Sequence, residues 1–157
     1  MKIHNAFCDE TPPADCCSRL VILSSHRSLV LRQPATIGFG VGCATQVGPH
    51  LVQQGRRRVL VIHSSATKNA VQAFLAQLNQ HGIATTPLSG IPPEPGVASL
   101  ENILATARGL SLDSVVGFGG GSVLDVAKLV AALHGRTESV PEFFGSGLLP
   151  SLSLAIV

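Results

Sequence analysis

Charge is what this sequence has least of: Asp, Glu, Lys and Arg make up 13% of its 157 residues, about half the share usual in soluble domains. A domain so poor in charge often has one face covered by something else, which points to a missing domain or a subunit partner. The formal net charge is +2, and no basic cluster exceeds Arg56-Arg57-Arg58, which reads as a solvated loop before a strand. Nucleic acid is therefore not an expected partner. Cysteine is also sparse. Cys8, Cys16, Cys17 and Cys43 include two neighbours and no C-x-x-C spacing, which excludes a disulfide framework and a zinc site and leaves reduced thiols in a cytoplasmic setting. Long apolar runs are missing too. Nothing approaches the roughly 18 residues a membrane span requires, and Asp9, Glu10 and Pro12-Pro13 stand where a secretory signal needs an apolar stretch.

What is present is an alternation of short apolar runs and amphipathic segments. Residues 1 to about 18 have no period and read as an irregular lead. RLVILSS and SLVLRQP, around Ser25, His26 and Arg27, read as a hairpin, and TIGFGVG as a short extended piece ending in glycines. VLVIHSS (59–65) has the continuous apolar character of a buried strand. From Ala66 to Gln80 the apolar residues Val71, Phe74, Leu75 and Leu78 fall on one helical face, and Gly82 ends the helix. Ile83 to Pro87 is extended, and GIPPEPG is a proline-rich loop. Val97 to Arg108 is a second helix with Leu100, Ile103, Leu104 and Ala107 inward. SVVGF (114–118) is the next strand, Ser122 to His134 the third helix, and SLSLAIV a last strand. Alternating strands and helices imply an α/β fold, a Rossmann-like and mainly parallel sheet with helices on both faces. Two regions are expected: 1–33, the lead and hairpin, and 34–157, the α/β domain. Because Val157 closes an apolar strand with no polar tail, the second region is expected to be truncated at its C-terminal end.

The segment VVGFGGGSVLDVAKLVAAL (115–133) carries the chemistry. Ligands of parallel sheets bind beyond the carboxyl ends of strands, where Gly119, Gly120 and Gly121 stand. Glycines between a strand and a helix let backbone N–H groups reach an anion, and the helix N-terminus adds a positive partial charge. Ser122 can offer a hydroxyl donor to a phosphate oxygen. Alternatively, Ser122-Val-Leu-Asp125 is a capping box that stabilises the helix with no ligand, although such a box leaves the glycines unexplained. Neither standard phosphate motif fits. No lysine follows Gly121 as a P-loop requires, and G-x-G-x-x-G fails at Ser122 from Gly117 and at Cys43 from Gly38.

GGGSVLDVAK resembles the G-G-G-S-x-x-D-x-A-K signature of the iron-containing (group III) alcohol dehydrogenase family. TIGFGVG, VLVIHSS, PPEPGVASLENILATAR, Asp113, PEFFG and LPSLSLAIV resemble the family's segments in the same order, so the likeness covers roughly residues 34 to 157. It implies an N-terminal domain that binds NAD or NADP, joined in the complete protein to a helical domain holding iron or zinc through one aspartate and three histidines. Gly119, Gly120, Gly121 and Ser122 would hold the pyrophosphate, with Asp125 beside the nicotinamide half and a salt bridge from Lys128 to Asp125. Many NAD-preferring members carry an aspartate where this chain offers Ser64. With Ser65 and Lys68 near it, Ser64 removes a repulsion against a 2′-phosphate and makes NADP acceptable; the other reading is that Ser64 or Ser65 caps the helix from 66.

No metal ligand and no catalytic residue is expected in this chain. Its histidines are scattered and read as surface or loop residues, His63 alone lying near the presumed crevice. The complete protein would interconvert an alcohol with an aldehyde or ketone by reversible hydride transfer, which the segment alone would not perform. Glycerol dehydrogenase-like and maleylacetate reductase-like relatives, or a non-catalytic nucleotide-binding module, are the competing readings.

Overall fold

The computed structural model describes residues 36–145 and 154–156, and every element below lies in the compact unit Gly38–Val157. A 3-10 turn, Cys43–Gln46, leads into α1 (Val47–Gln53), followed by β1 (Arg58–His63). A second turn, Ser65–Thr67, precedes α2 (Lys68–Gln80). Then come β2 (Ala84–Leu88), α3 (Val97–Arg108), β3 (Ser114–Phe118), α4 (Gly121–Leu133), a 3-10 turn at Val140–Phe143, and β4 (Ala155–Ile156).

The four strands pair in the order β2-β1-β3-β4, every pair parallel. In β1 successive side chains point to opposite faces. Val59 and Val61 join Leu51 of α1 and Val71, Phe74, Leu75 and Leu78 of α2 in one buried cluster. Leu60 and Ile62 join Leu100 and Leu104 of α3 and Val123, Val126 and Val130 of α4 in the other. Burial on both faces is why the strand reads as VLVI and not as alternating polar and apolar. Each such side chain contributes about 1.5–3 kcal/mol. The expected α/β architecture is the one observed.

Chain direction explains the layering. From β1 the chain moves one way, through α2, to the edge strand β2. It then crosses back over β1, through α3, to β3, and continues outward through α4 to β4. Right-handed crossovers in opposite directions put their helices on opposite faces. Pro87 lacks an N–H, and it is accommodated in β2 because, among the described residues, that strand has a neighbour on one side only.

Several local expectations need correction. Thr36 to Phe39 forms no strand; positive φ at Gly40 (129°) and Gly42 (78°) turns the chain into the helical stretch Cys43–Gln53, which was not foreseen. β1 ends at His63, and α2 starts at Lys68 with Thr67 as its N-cap, so neither Ser64 nor Ser65 caps that helix. The ending of α2 does agree. Gly82 (φ 71°) donates to Asn79 O at 2.9 Å and Ile83 to Leu78 O at 3.2 Å, the paired bonds of a Schellman stop. The hairpin expected before residue 34 lies outside the described residues.

Candidate functional site

The strand order reverses direction between β1 and β3, and their carboxyl ends lie side by side because His63 pairs with Phe118. This topological switch is where a parallel sheet opens a crevice for ligand. Ser64 follows one strand end and Gly119 the other, so two segments singled out from sequence meet there.

The glycines divide into two kinds. A Cβ on Gly119 would fall 3.0 Å from Val123 Cγ2, and one on Gly117 would fall 3.0 Å from Leu124 Cδ2 and 3.1 Å from Ala127 Cβ. Those two are small so that α4 can close on β3. Gly120 and Gly121 differ. Neither has positive φ, and a Cβ on either would meet nothing within 4 Å. Neither backbone conformation nor packing among the described residues requires glycine at these positions; the space in front of them is kept clear.

Gly120 is the N-cap of α4, and the first bonds of that helix run from Val123 and Leu124 N–H to Gly120 O at 3.0 and 3.1 Å. The N–H groups of Gly121 and Ser122 lie ahead of that ladder, in the positive end of a 13-residue helix. All three glycines from Gly119 to Gly121 are exposed. An open backbone, donors ahead of the first helical bond and no intervening side chain together fit an anion such as a pyrophosphate.

The capping box expected at Ser122 is not formed, because the helix starts one residue earlier and carries no side-chain cap. The Ser122 hydroxyl instead donates to the carbonyl of Pro93, 29 residues back. Asp125 is exposed and pairs with Lys128 Nζ at 3.1 Å, the expected salt bridge. Ser122 and Asp125, with Pro93, Glu94 and Pro95, line a groove of 320 Å³ beside the helix start.

Across the switch, Ser64 has extended backbone (φ −81°, ψ 158°) and its Oγ lies 3.1 Å from Thr67 Oγ1. Thr67 Oγ1 donates to Ser64 O at 2.9 Å, with Phe118 O at 3.3 Å as a second acceptor. Thr67 therefore ties the end of β1 to the end of β3. It was missed from sequence, although a serine and a threonine three apart after a strand is a recognisable turn signal. His63 ends β1, as its place in VLVIHSS implies, but it is buried and not a surface residue, with Nδ1 3.0 Å from Ser64 O. His134, half-buried, holds Ala107 O at 3.0 Å.

The basic triplet is anchored at the opposite end of the sheet. Asp113 Oδ2 accepts from Arg57 N–H at 3.0 Å, and both its oxygens accept from Arg58 N–H at 3.1 Å. Arg56 reaches Asp113 O, Arg57 reaches His81 O and Arg58 reaches Ser111 Oγ. These guanidinium groups tie the loop to its neighbours, while Arg57 and Arg58 stay exposed, as a solvated loop before a strand implies. Among the described residues, no group of three or more His, Cys, Asp or Glu side chains could hold a metal ion, and no helix is long and apolar enough to cross a membrane.

Comparison with known proteins gives a consistent picture. The sequence model of the family described as iron-containing alcohol dehydrogenase matches residues 34–157. Long-chain-alcohol dehydrogenase 1 of Geobacillus thermodenitrificans is 33% identical over 112 residues, 70% of this chain and 28% of that protein. The crystal structure of NADH-dependent butanol dehydrogenase A from Thermotoga maritima superposes with a TM-score of 0.72 at 30% identity, covering 82% of this chain and 33% of that one. Sulfoacetaldehyde reductase from Bifidobacterium kashiwanohense, solved with NAD+, shares the fold with a TM-score of 0.73 at 24% identity, over 83% of this chain and 35% of that one. The chain thus spans 28% of its curated relative and 33–35% of these two solved chains.

Proposed function

The chain belongs to the iron-containing alcohol dehydrogenase family, and from that premise we propose that residues 34–157 are the dinucleotide-binding part of an NAD(P)-linked alcohol dehydrogenase. In the complete protein the reaction is reversible hydride transfer between a small alcohol and its aldehyde or ketone, and the assembly is a dimer. The observation that carries this reading is the clear space in front of Gly120 and Gly121, which nothing among the described residues requires.

In this reading the N–H groups of Gly121 and Ser122 hold the pyrophosphate, with Gly120 giving it access and Gly119 letting α4 close on β3 behind it. Asp125 lies toward the nicotinamide half, and Ser64 faces the adenosine ribose. A bound nicotinamide cofactor supplies the hydride chemistry, while these residues bind and orient it. The metal implied by the family finds no ligand set among the described residues, and no metal-dependent step is assigned to them.

Fluorescence titration of the complete protein with NADH and NADPH tests the reading, which predicts saturable binding of a reduced dinucleotide; failure of both to bind would contradict it. The same titration tests cofactor choice. Ser64 offers no carboxylate to repel a 2′-phosphate, and Ser65 and Lys68 follow it in sequence, so NADPH is expected to bind at least as well as NADH. NADH binding tighter by about tenfold, roughly 1.4 kcal/mol, would sink the NADP proposal and leave the dinucleotide reading intact.

A further inference from the structure

The hydroxyl of Ser122 has one proton, and that proton is given to the Pro93 carbonyl. A pyrophosphate oxygen and a carbonyl oxygen are both acceptors, so a single hydroxyl cannot donate fully to both. The backbone N–H of Ser122 remains on the helix side. We infer that Ser122 recognises an anion through its main chain only, and that its side chain is a positioning latch holding the loop at residues 89–96 against the start of α4. This rests on the dinucleotide reading above.

The loop explains why a latch matters. It runs from the end of β2 to the start of α3, at the carboxyl end of the sheet, and three of its eight positions (Pro92, Pro93 and Pro95) have no N–H to donate. Its carbonyl at Gly96 accepts from Leu100 as the first bond of α3. Ile91 is partly buried against the core. Among the described residues, the hydrogen bond reaching the Pro93–Pro95 corner from another element is that of Ser122. Proline fixes φ, so securing the Pro93 carbonyl restricts Glu94 and Pro95 with it. Those three residues form one wall of the 320 Å³ groove whose other side includes Ser122 and Asp125. One residue therefore contacts both the anion corner, by N–H, and the groove wall, by hydroxyl. Loosening the wall should leave pyrophosphate affinity nearly unchanged.

The test uses the complete protein with Cys8, Cys16, Cys17 and Cys43 replaced by serine and a nitroxide attached at Glu94→Cys. In this background Ser122→Ala, Ser122→Thr and Gly121→Val are compared with the parent. ADP-ribose, which carries the pyrophosphate without nicotinamide, is titrated by displacement of NADH fluorescence. Ser122→Ala is expected to change the ADP-ribose Kd by less than about threefold, because a lost charge-assisted hydrogen bond would cost about tenfold or more. The same variant is expected to free the nitroxide, and Ser122→Thr to immobilise it again. Loss of ADP-ribose affinity by about tenfold in Ser122→Ala, or a nitroxide that does not respond to the substitution, would overturn the latch. If Gly121→Val binds ADP-ribose as well as the parent, the dinucleotide reading falls, while the nitroxide still decides the role of Ser122.

Discussion

The two ends of the parallel sheet are built on opposite principles. At the amino ends of β1 and β3, most polar groups have partners inside the chain, Arg56 Nε being a buried exception. Asp113, its side chain 19% exposed, accepts two backbone N–H groups and faces Arg58 Nε at 3.7 Å, and the neighbouring guanidiniums reach His81 O and Ser111 Oγ. At the carboxyl ends of the same strands, the N–H groups of Gly121 and Ser122 precede the helical ladder, and the glycines before them are exposed. Side chains close one end; their omission opens the other. Within one sheet, closure by side chains and open backbone thereby lie at opposite ends, and the proposed cofactor site uses the open one.

Substitutions at the two ends should separate these roles. Gly121→Val is expected to weaken dinucleotide binding by about 100-fold, the cost of two obstructed charge-assisted hydrogen bonds. Its effect on unfolding free energy should stay within about 0.5 kcal/mol, since a Cβ there meets nothing within 4 Å. Asp113→Ala should do the reverse, costing about 2 kcal/mol in urea unfolding while cofactor Kd stays nearly constant. Gly119→Ala sharpens the contrast inside the loop itself. Its Cβ would press on Val123, so it should cost about 1 kcal/mol or more of stability, unlike Gly121→Val two residues on. A matching loss of stability in both glycine variants would erase the distinction between packing and open glycines.

The smallest effect lies away from both ends. The Glu142 carboxylate accepts from the Ser139 N–H at 3.0 Å and the Ser139 hydroxyl at 2.8 Å, and these bonds hold it below the ordinary glutamate range. A depressed folded-state value contributes stability above the unfolded value that is lost as pH falls through the folded one. Glu142→Gln should therefore flatten the acid limb of a stability-versus-pH curve slightly and leave the neutral limb nearly parallel to the parent.

The sheet was legible because its signals are local. VLVI and SVVGF are continuous apolar runs, Val97–Arg108 has an uninterrupted helical period between Gly96 and Gly109, and Gly82 marks the stop of α2 one residue past its cap. The helix Val47–Gln53 was not legible, since Gly42, Gly48 and Pro49 read as breakers. Pro49 falls in the first turn, where its missing N–H costs no bond, and Gly48 is packed against His81. The exposed glycine loop between β3 and α4 was legible, but the partner of Ser122 was not. S-x-x-D favours a local cap, whereas Pro93 is brought to Ser122 only by the crossover through α3, which no local pattern encodes. The division of the glycines into packing and open positions likewise depends on where α4 lies against β3.

The central claim is that Gly120 and Gly121 leave room for the charged bridge of a dinucleotide. A crystal structure of the complete protein with NADH tests it most directly. The account predicts pyrophosphate oxygens about 2.7–3.2 Å from the N–H groups of Gly121 and Ser122, with the Ser122 hydroxyl still on Pro93. A pyrophosphate bound elsewhere, with side chains of the complete protein filling the space before Gly120 and Gly121, would contradict it.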